Sequence, residues 1–155
     1  MEKEIMMKKC FWVLVILGFV LTTPAMLVAA DVNNIEILGY GTYKVGIAKI
    51  IKETNKIPAI KDLAFGFQYI VHGKPLSEKV KLKSLIIFPE SGLMNPKTGE
   101  AGYKYEGIIY AKIGKIKRFG YVFREEWLMV PGNWTFQIWY EGKKLAEKTF
   151  TVYIP

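Results

Sequence analysis

Few residues in this chain could do chemistry. One histidine, His72, and one cysteine, Cys10, are the only imidazole and the only thiol in 155 residues. A serine-type triad would have to combine His72 with Ser77, Ser84 or Ser91 and with Asp62, and no Gly-x-Ser-x-Gly elbow surrounds any of these serines. Zinc and other transition metals need several Cys or His ligands, and calcium needs clustered carboxylates. Past residue 30 the only aspartates are Asp31 and Asp62, and the glutamates are scattered, so the sequence implies no metal and no cofactor. Paired carboxylates are the remaining enzymatic option, as in a carbohydrate-active hydrolase. Glu90 and Glu100 flank a long loop. Glu125 and Glu126 are adjacent, but neighbours in a strand point to opposite faces. Asn133-Trp134-Thr135 matches a glycosylation acceptor, and Asn133 reads equally well as the residue that closes a turn. The expectation is a protein without catalysis.

Aromatic residues supply what surplus there is, at 14% of the chain. Trp134, Phe136, Phe150 and Val152 fall on the apolar parity of the closing strands and read as structural core, with Phe67 and Tyr69 beside them. Trp139, Tyr153, Tyr103 and Tyr105 fall off that face and form the candidate binding surface. Exposed aromatics of this kind stack on sugar rings or anchor a protein partner. The expected partner is an envelope protein or a polysaccharide. Nucleic acid is not expected, because 20 of the 22 basic residues are lysine and only Arg118 and Arg124 offer a bidentate fork.

The elements that must hold these residues begin after an address segment. Lys3, Lys8 and Lys9 precede the apolar run Cys10–Leu21, and small residues follow as far as Ala29 and Ala30. That order predicts a signal peptide over 1–30, with cleavage after Ala30 and an exported, periplasmic or extracellular domain over 31–155. The rival reading is an anchor over 10–30, and only then would the protein contact a membrane. Residues 31–155 carry 19 basic and 12 acidic side chains, a net charge of +7, and contain no cysteine. Such a domain is held by its core alone, and 125 residues are enough to build one.

Strand patterns dominate residues 31–155. Ile35–Lys44 reads as a first strand, with Gly39 and Gly41 marking a bulge or a close backbone approach. The secondary structure of 45–64 is ambiguous, with Val45–Lys56 read as irregular or extended. Phe65–His72 alternates, placing Phe67, Tyr69 and Val71 on one face. Lys79–Phe88 sets Lys79, Lys81 and Lys83 against Val80 and Leu82, and its apolar end, Leu85–Phe88, predicts full burial. Pro89–Gly102 reads as one long loop. Strands are expected over Tyr103–Ile113 and Arg118–Val130, then a type II turn with Pro131 and Gly132 at its centre. Asn133–Tyr140 and Lys144–Ile154 form the last hairpin, the second strand with Phe150, Val152 and Ile154 on one face. The pattern predicts an all-β chain, an antiparallel β-sandwich of about seven to nine strands whose size and aromatic content suit an immunoglobulin-like domain.

The closing stretch resembles a bacterial family, domain of unknown function 3859. Its pattern appears here as Pro131, Gly132, Trp134 and Phe136, then Gly142, Leu145, Ala146, Phe150 and Val152. Gly39-Tyr40-Gly41-Thr42-Tyr43, Ile57-Pro58, Phe65-Gly66, Pro89 and Gly92 extend the resemblance over most of 35–153. The resemblance implies an immunoglobulin-like β-sandwich in an exported or envelope setting. It implies no activity and assigns no functional residue.

Overall fold

A computed structural model describes residues 29–44, 46 and 49–155. Most of the expected signal segment therefore lies outside the described residues, which include only Ala29 and Ala30 of it. No helix of the described residues is long and apolar enough to cross a membrane.

Two antiparallel sheets face each other across one aromatic core. The four-stranded sheet has the order β2-β1-β4-β9, with β1 Asp31–Tyr43, β2 Ile50–Glu53, β4 Ala64–Lys74 and β9 Ile116–Val122. The five-stranded sheet has the order β3-β11-β10-β5-β8, with β3 Lys56–Pro58, β5 Lys79–Ile87, β8 Lys104–Lys112, β10 Gly132–Tyr140 and β11 Lys143–Tyr153. Only β3 runs parallel to its neighbour, β11. Nine strands in two layers match the expected sandwich. The ambiguous 45–64 region supplies the two short edge strands β2 and β3.

Period-two patterning builds the layers. Phe65, Phe67, Tyr69 and Val71 of β4 are buried, and so are Trp134, Phe136 and Ile138 of β10 and Phe150 and Val152 of β11. Phe65 lies at the centre, its ring 5.4 to 5.8 Å from those of Trp134, Phe136 and Phe150 in edge-on contacts. The indole N–H of Trp134 donates to the Val130 carbonyl at 3.0 Å, so this buried polar atom is satisfied. Gly41 makes the close approach expected in the first strand, a Cβ there lying 2.0 Å from the Lys52 carbonyl oxygen on β2, and on β4 Gly66 makes a second. Its φ is 153°, and a Cβ there would come within 2.2 Å of the Phe119 carbonyl oxygen on β9.

Five expectations are corrected. Pro131 and Gly132 do not form a turn. The chain bends upstream, in a short 3-10 helix at Glu126–Leu128, and runs extended from Val130 into β10. The reason is topological: β9 and β10 belong to different sheets, so their connection crosses between layers and needs no tight reversal. Gly132 is required instead by packing, since a Cβ on it would meet Pro89 at 2.9 Å. For the same reason the strand expected over Arg118–Val130 ends at Val122. The loop Pro89–Gly102 contains a small hairpin, β6 Leu93–Met94 with β7 Ala101–Gly102. Finally, Leu85 is half-buried and Ile87 exposed, because β5 keeps one face in solvent along its whole length. Ile154, expected to share the core face of the last strand, lies past the end of β11 and is exposed.

The last hairpin closes as its sequence suggests. Glu141 and Gly142, both at positive φ, join Tyr140 to Lys143 in a two-residue type I′ turn.

Candidate binding face

Strand register places the outward side chains of the five-stranded sheet in rows. Trp139 of β10 lies opposite Lys83 of β5, which lies opposite Ile108 of β8. Lys144 of β11 extends that row on the other side of Trp139. One step along the strands, Glu147, Gln137, Leu85 and Glu106 form the next row. In the opposite direction Lys81 pairs with Tyr110, and Lys79 with Lys112. A shallow groove of about 440 Å³ runs over this patch, lined by Trp139, Lys81, Lys83, Leu85 and Ile108 among others.

Hydrogen bonds fix the tryptophan. Its indole N–H donates to Gln137 Oε1 at 2.9 Å, and Gln137 Nε2 donates to Glu147 Oε2 at 2.6 Å. Lys144 Nζ donates to the same Glu147 oxygen at 2.6 Å. Trp139 is thus half-buried with its polar edge occupied and its ring beside Lys83 and Leu85. The Lys144 bond, joined by the one from Gln137, holds the Glu147 carboxyl below its ordinary range against an opposing push from burial. Across the patch, Lys83 and Lys104 grip Glu106 at 2.9 Å each and hold its carboxyl down at about 2. Lys79 lies over the Tyr110 ring, 4.3 Å from its centre.

Of the four aromatics nominated from sequence, Trp139 alone occupies this groove. Tyr153 is exposed on the same sheet face but at the far end of β11, opposite Pro58. Tyr103 precedes β8 and packs near Gly92 of the 89–102 segment. Tyr105 has the other parity of β8 and opens onto clefts shared with Tyr121 and Trp127 at the sandwich rim. The four do not form one platform. Sequence reasoning missed Ile108 and Tyr110 of β8, which are 52% and 50% exposed on the same face, across β5 from Trp139. Their signal was their shared parity with Lys104, Glu106 and Lys112 in an otherwise apolar strand. Trp134, Phe136, Phe150 and Val152 lie on the opposite, buried side.

The carboxylate pairs do not converge. Glu90 lines a cleft with Pro131 and Asn133, Glu100 lines a different one with Trp127, and Glu125 and Glu126 are exposed at the 3-10 helix. His72 Nε2 meets Glu36 Oε2 at 2.8 Å on the solvent side of the four-stranded sheet. Among the described residues no three His, Cys, Asp or Glu side chains gather as metal ligands would.

Two facing antiparallel sheets, an aromatic core and a solvated outer face define an immunoglobulin-like β-sandwich. Within that class the chain belongs to the family described as domain of unknown function (DUF3859), whose model matches residues 40–152. It is similar in structure to an immunoglobulin-like protein from Pseudomonas aeruginosa. The TM-score is 0.63 and the identity 27%, over 78% of this chain and 98% of that one. A β-D-glucoside glucohydrolase from Trichoderma reesei aligns with a TM-score of 0.35 and 9% identity, over 81% of this chain and 19% of that one, too distant to bear on fold or function. Comparison with curated proteins gives no match.

Proposed function

We propose that this protein is an exported, non-catalytic binding module of the cell envelope that holds its partner on the outer face of the five-stranded sheet. The observation that carries the proposal is the row Trp139–Lys83–Ile108, where an aromatic ring, a cation and an exposed aliphatic side chain line one groove. An indole kept at the surface with its N–H already satisfied offers a rigid apolar platform at low entropic cost. The partner is an envelope protein or a polysaccharide. Export rests on the basic, apolar and small-residue order of 1–30. Protein recovered from the exported fraction should therefore have the intact mass of a chain beginning at Asp31, whereas a full-length mass in membranes favours an anchor.

Lysine footprinting tests the face itself. After capture on the host's envelope fraction, Lys81, Lys83 and Lys112 should lose reactivity to an acetylating reagent, while Lys52 and Lys61 keep theirs. Protection confined to Lys52 and Lys61 would move the interface to another part of the molecule and refute the proposal.

A further inference from the structure

Accepting the binding role proposed above, charge and ring geometry narrow the class of partner. From the start of β5 to the end of β9, Lys79–Val122, nine basic residues stand against three acidic ones, a net +6. The rest of 31–155 carries ten basic and nine acidic residues, a net +1. Within that segment β5 and β8 themselves supply five lysines, Lys79, Lys81, Lys83, Lys104 and Lys112, against one acid, Glu106, a net +4 that draws a polyanion to this half of the groove; Lys117 and Arg118 lie on β9 of the other sheet. Three of the face's lysines are ion-paired, Lys83 and Lys104 with Glu106 and Lys144 with Glu147. The side chains of Lys81 and Lys112 have no hydrogen bond or ion pair among the described residues and are available to a ligand's charge.

Charge alone suits any acidic polymer. The ring distinguishes among them. Trp139 is held through its N–H by Gln137, one strand away from Lys83, and Leu85 and Ile108 continue the apolar floor. Lys79, Lys81 and Lys83 repeat about every 7 Å along β5, and neighbouring strands lie about 5 Å apart. An extended chain of acidic sugars laid along β5 meets both demands. Its carboxylates fall on the lysine row, and the C–H face of a ring falls on the indole. An acidic peptide meets the first demand and leaves the fixed indole without a flat partner. We infer that the outer face binds an acidic polysaccharide, with Lys81 and Lys112 taking carboxylates and Trp139 stacking on a sugar ring.

Three polymers separate charge from ring in a direct titration of the purified protein at low ionic strength. They are polygalacturonate (charged rings), poly-L-glutamate (charge without rings) and dextran (rings without charge). Polygalacturonate should bind about tenfold more tightly than poly-L-glutamate of matched charge, and dextran should not bind. Trp139→Ala should erase the difference between the two polyanions. Lys81→Glu with Lys112→Glu, both solvent-facing, should weaken both about tenfold. Poly-L-glutamate binding as tightly as polygalacturonate would overturn the inference in favour of an acidic protein. Failure of all three polymers, with Trp139→Ala still released from the envelope fraction, would overturn it while leaving the binding role intact. A Trp139→Ala protein retained on that fraction would overturn the binding role itself.

Discussion

Strand β10 carries two tryptophans of the same chemistry and opposite fate. Trp134 points between the sheets, fully buried, and touches Phe65, Phe88, Tyr121 and Phe123. Trp139, on the other side of the strand, points into a solvated groove among lysines. Both indole N–H groups are satisfied, one by a backbone carbonyl and one by a glutamine side chain. The difference teaches where this molecule spends its aromatic side chains. One face builds the core that a domain of this size needs, and the other keeps a ring in a solvated groove.

The largest effect should come from the inner face. Trp134→Ala removes the ring around which four aromatic neighbours pack, and should cost about 3–5 kcal/mol in urea denaturation. Gly66→Ala attacks the same core from the backbone, since its Cβ would lie 2.2 Å from the Phe119 carbonyl. It should cost about 2 kcal/mol or more and lower the thermal midpoint by several degrees. Either variant with near wild-type stability would blur the contrast between the faces.

Titration sharpens the contrast at both ends of the pH scale. Burial pushes the hydroxyls of Tyr43 and Tyr69 up to about 12, whereas unfolded tyrosine ionises near 10. A raised folded value means that the neutral form is the one the fold tolerates. Stability should hold below pH 10 and fall as pH rises from 10 to 12, read as a declining thermal midpoint. Tyr69→Phe should flatten part of that decline. On the outer face the sign is opposite. Glu106 is held at about 2 against an ordinary 4.5, so its contribution is present above pH 4.5 and is lost as pH falls towards 2. That loss should be slight and should disappear in high salt, because the pair is exposed.

Much of this contrast was legible in the sequence. Alternation in Asn133–Tyr140 separated Trp134 from Trp139, and the Lys79, Lys81 and Lys83 parity marked the solvated side of β5. Other features were hidden for definite physical reasons. Pro131-Gly132 carries the composition of a turn, but whether the chain reverses there depends on which sheet the next strand joins, a non-local fact. Leu85 and Ile87 looked buried because local hydrophobicity does not reveal that β5 is covered on one face only. Tyr103, Tyr105, Tyr153 and Trp139 shared a chemistry but no location, since only register brings residues of different strands together. Register also placed Ile108 in the same row as Trp139, across Lys83.

The smallest effect on stability and the largest on function should come from one substitution. Trp139→Ala leaves the aromatic core untouched and trims a half-buried ring, so its urea midpoint should stay within about 1 kcal/mol of wild type. The central claim is tested by measuring that midpoint and the retention on the host's envelope fraction in the same preparation. A folded protein that no longer stays bound is the expected result. A folded Trp139→Ala protein retained like wild type would contradict it.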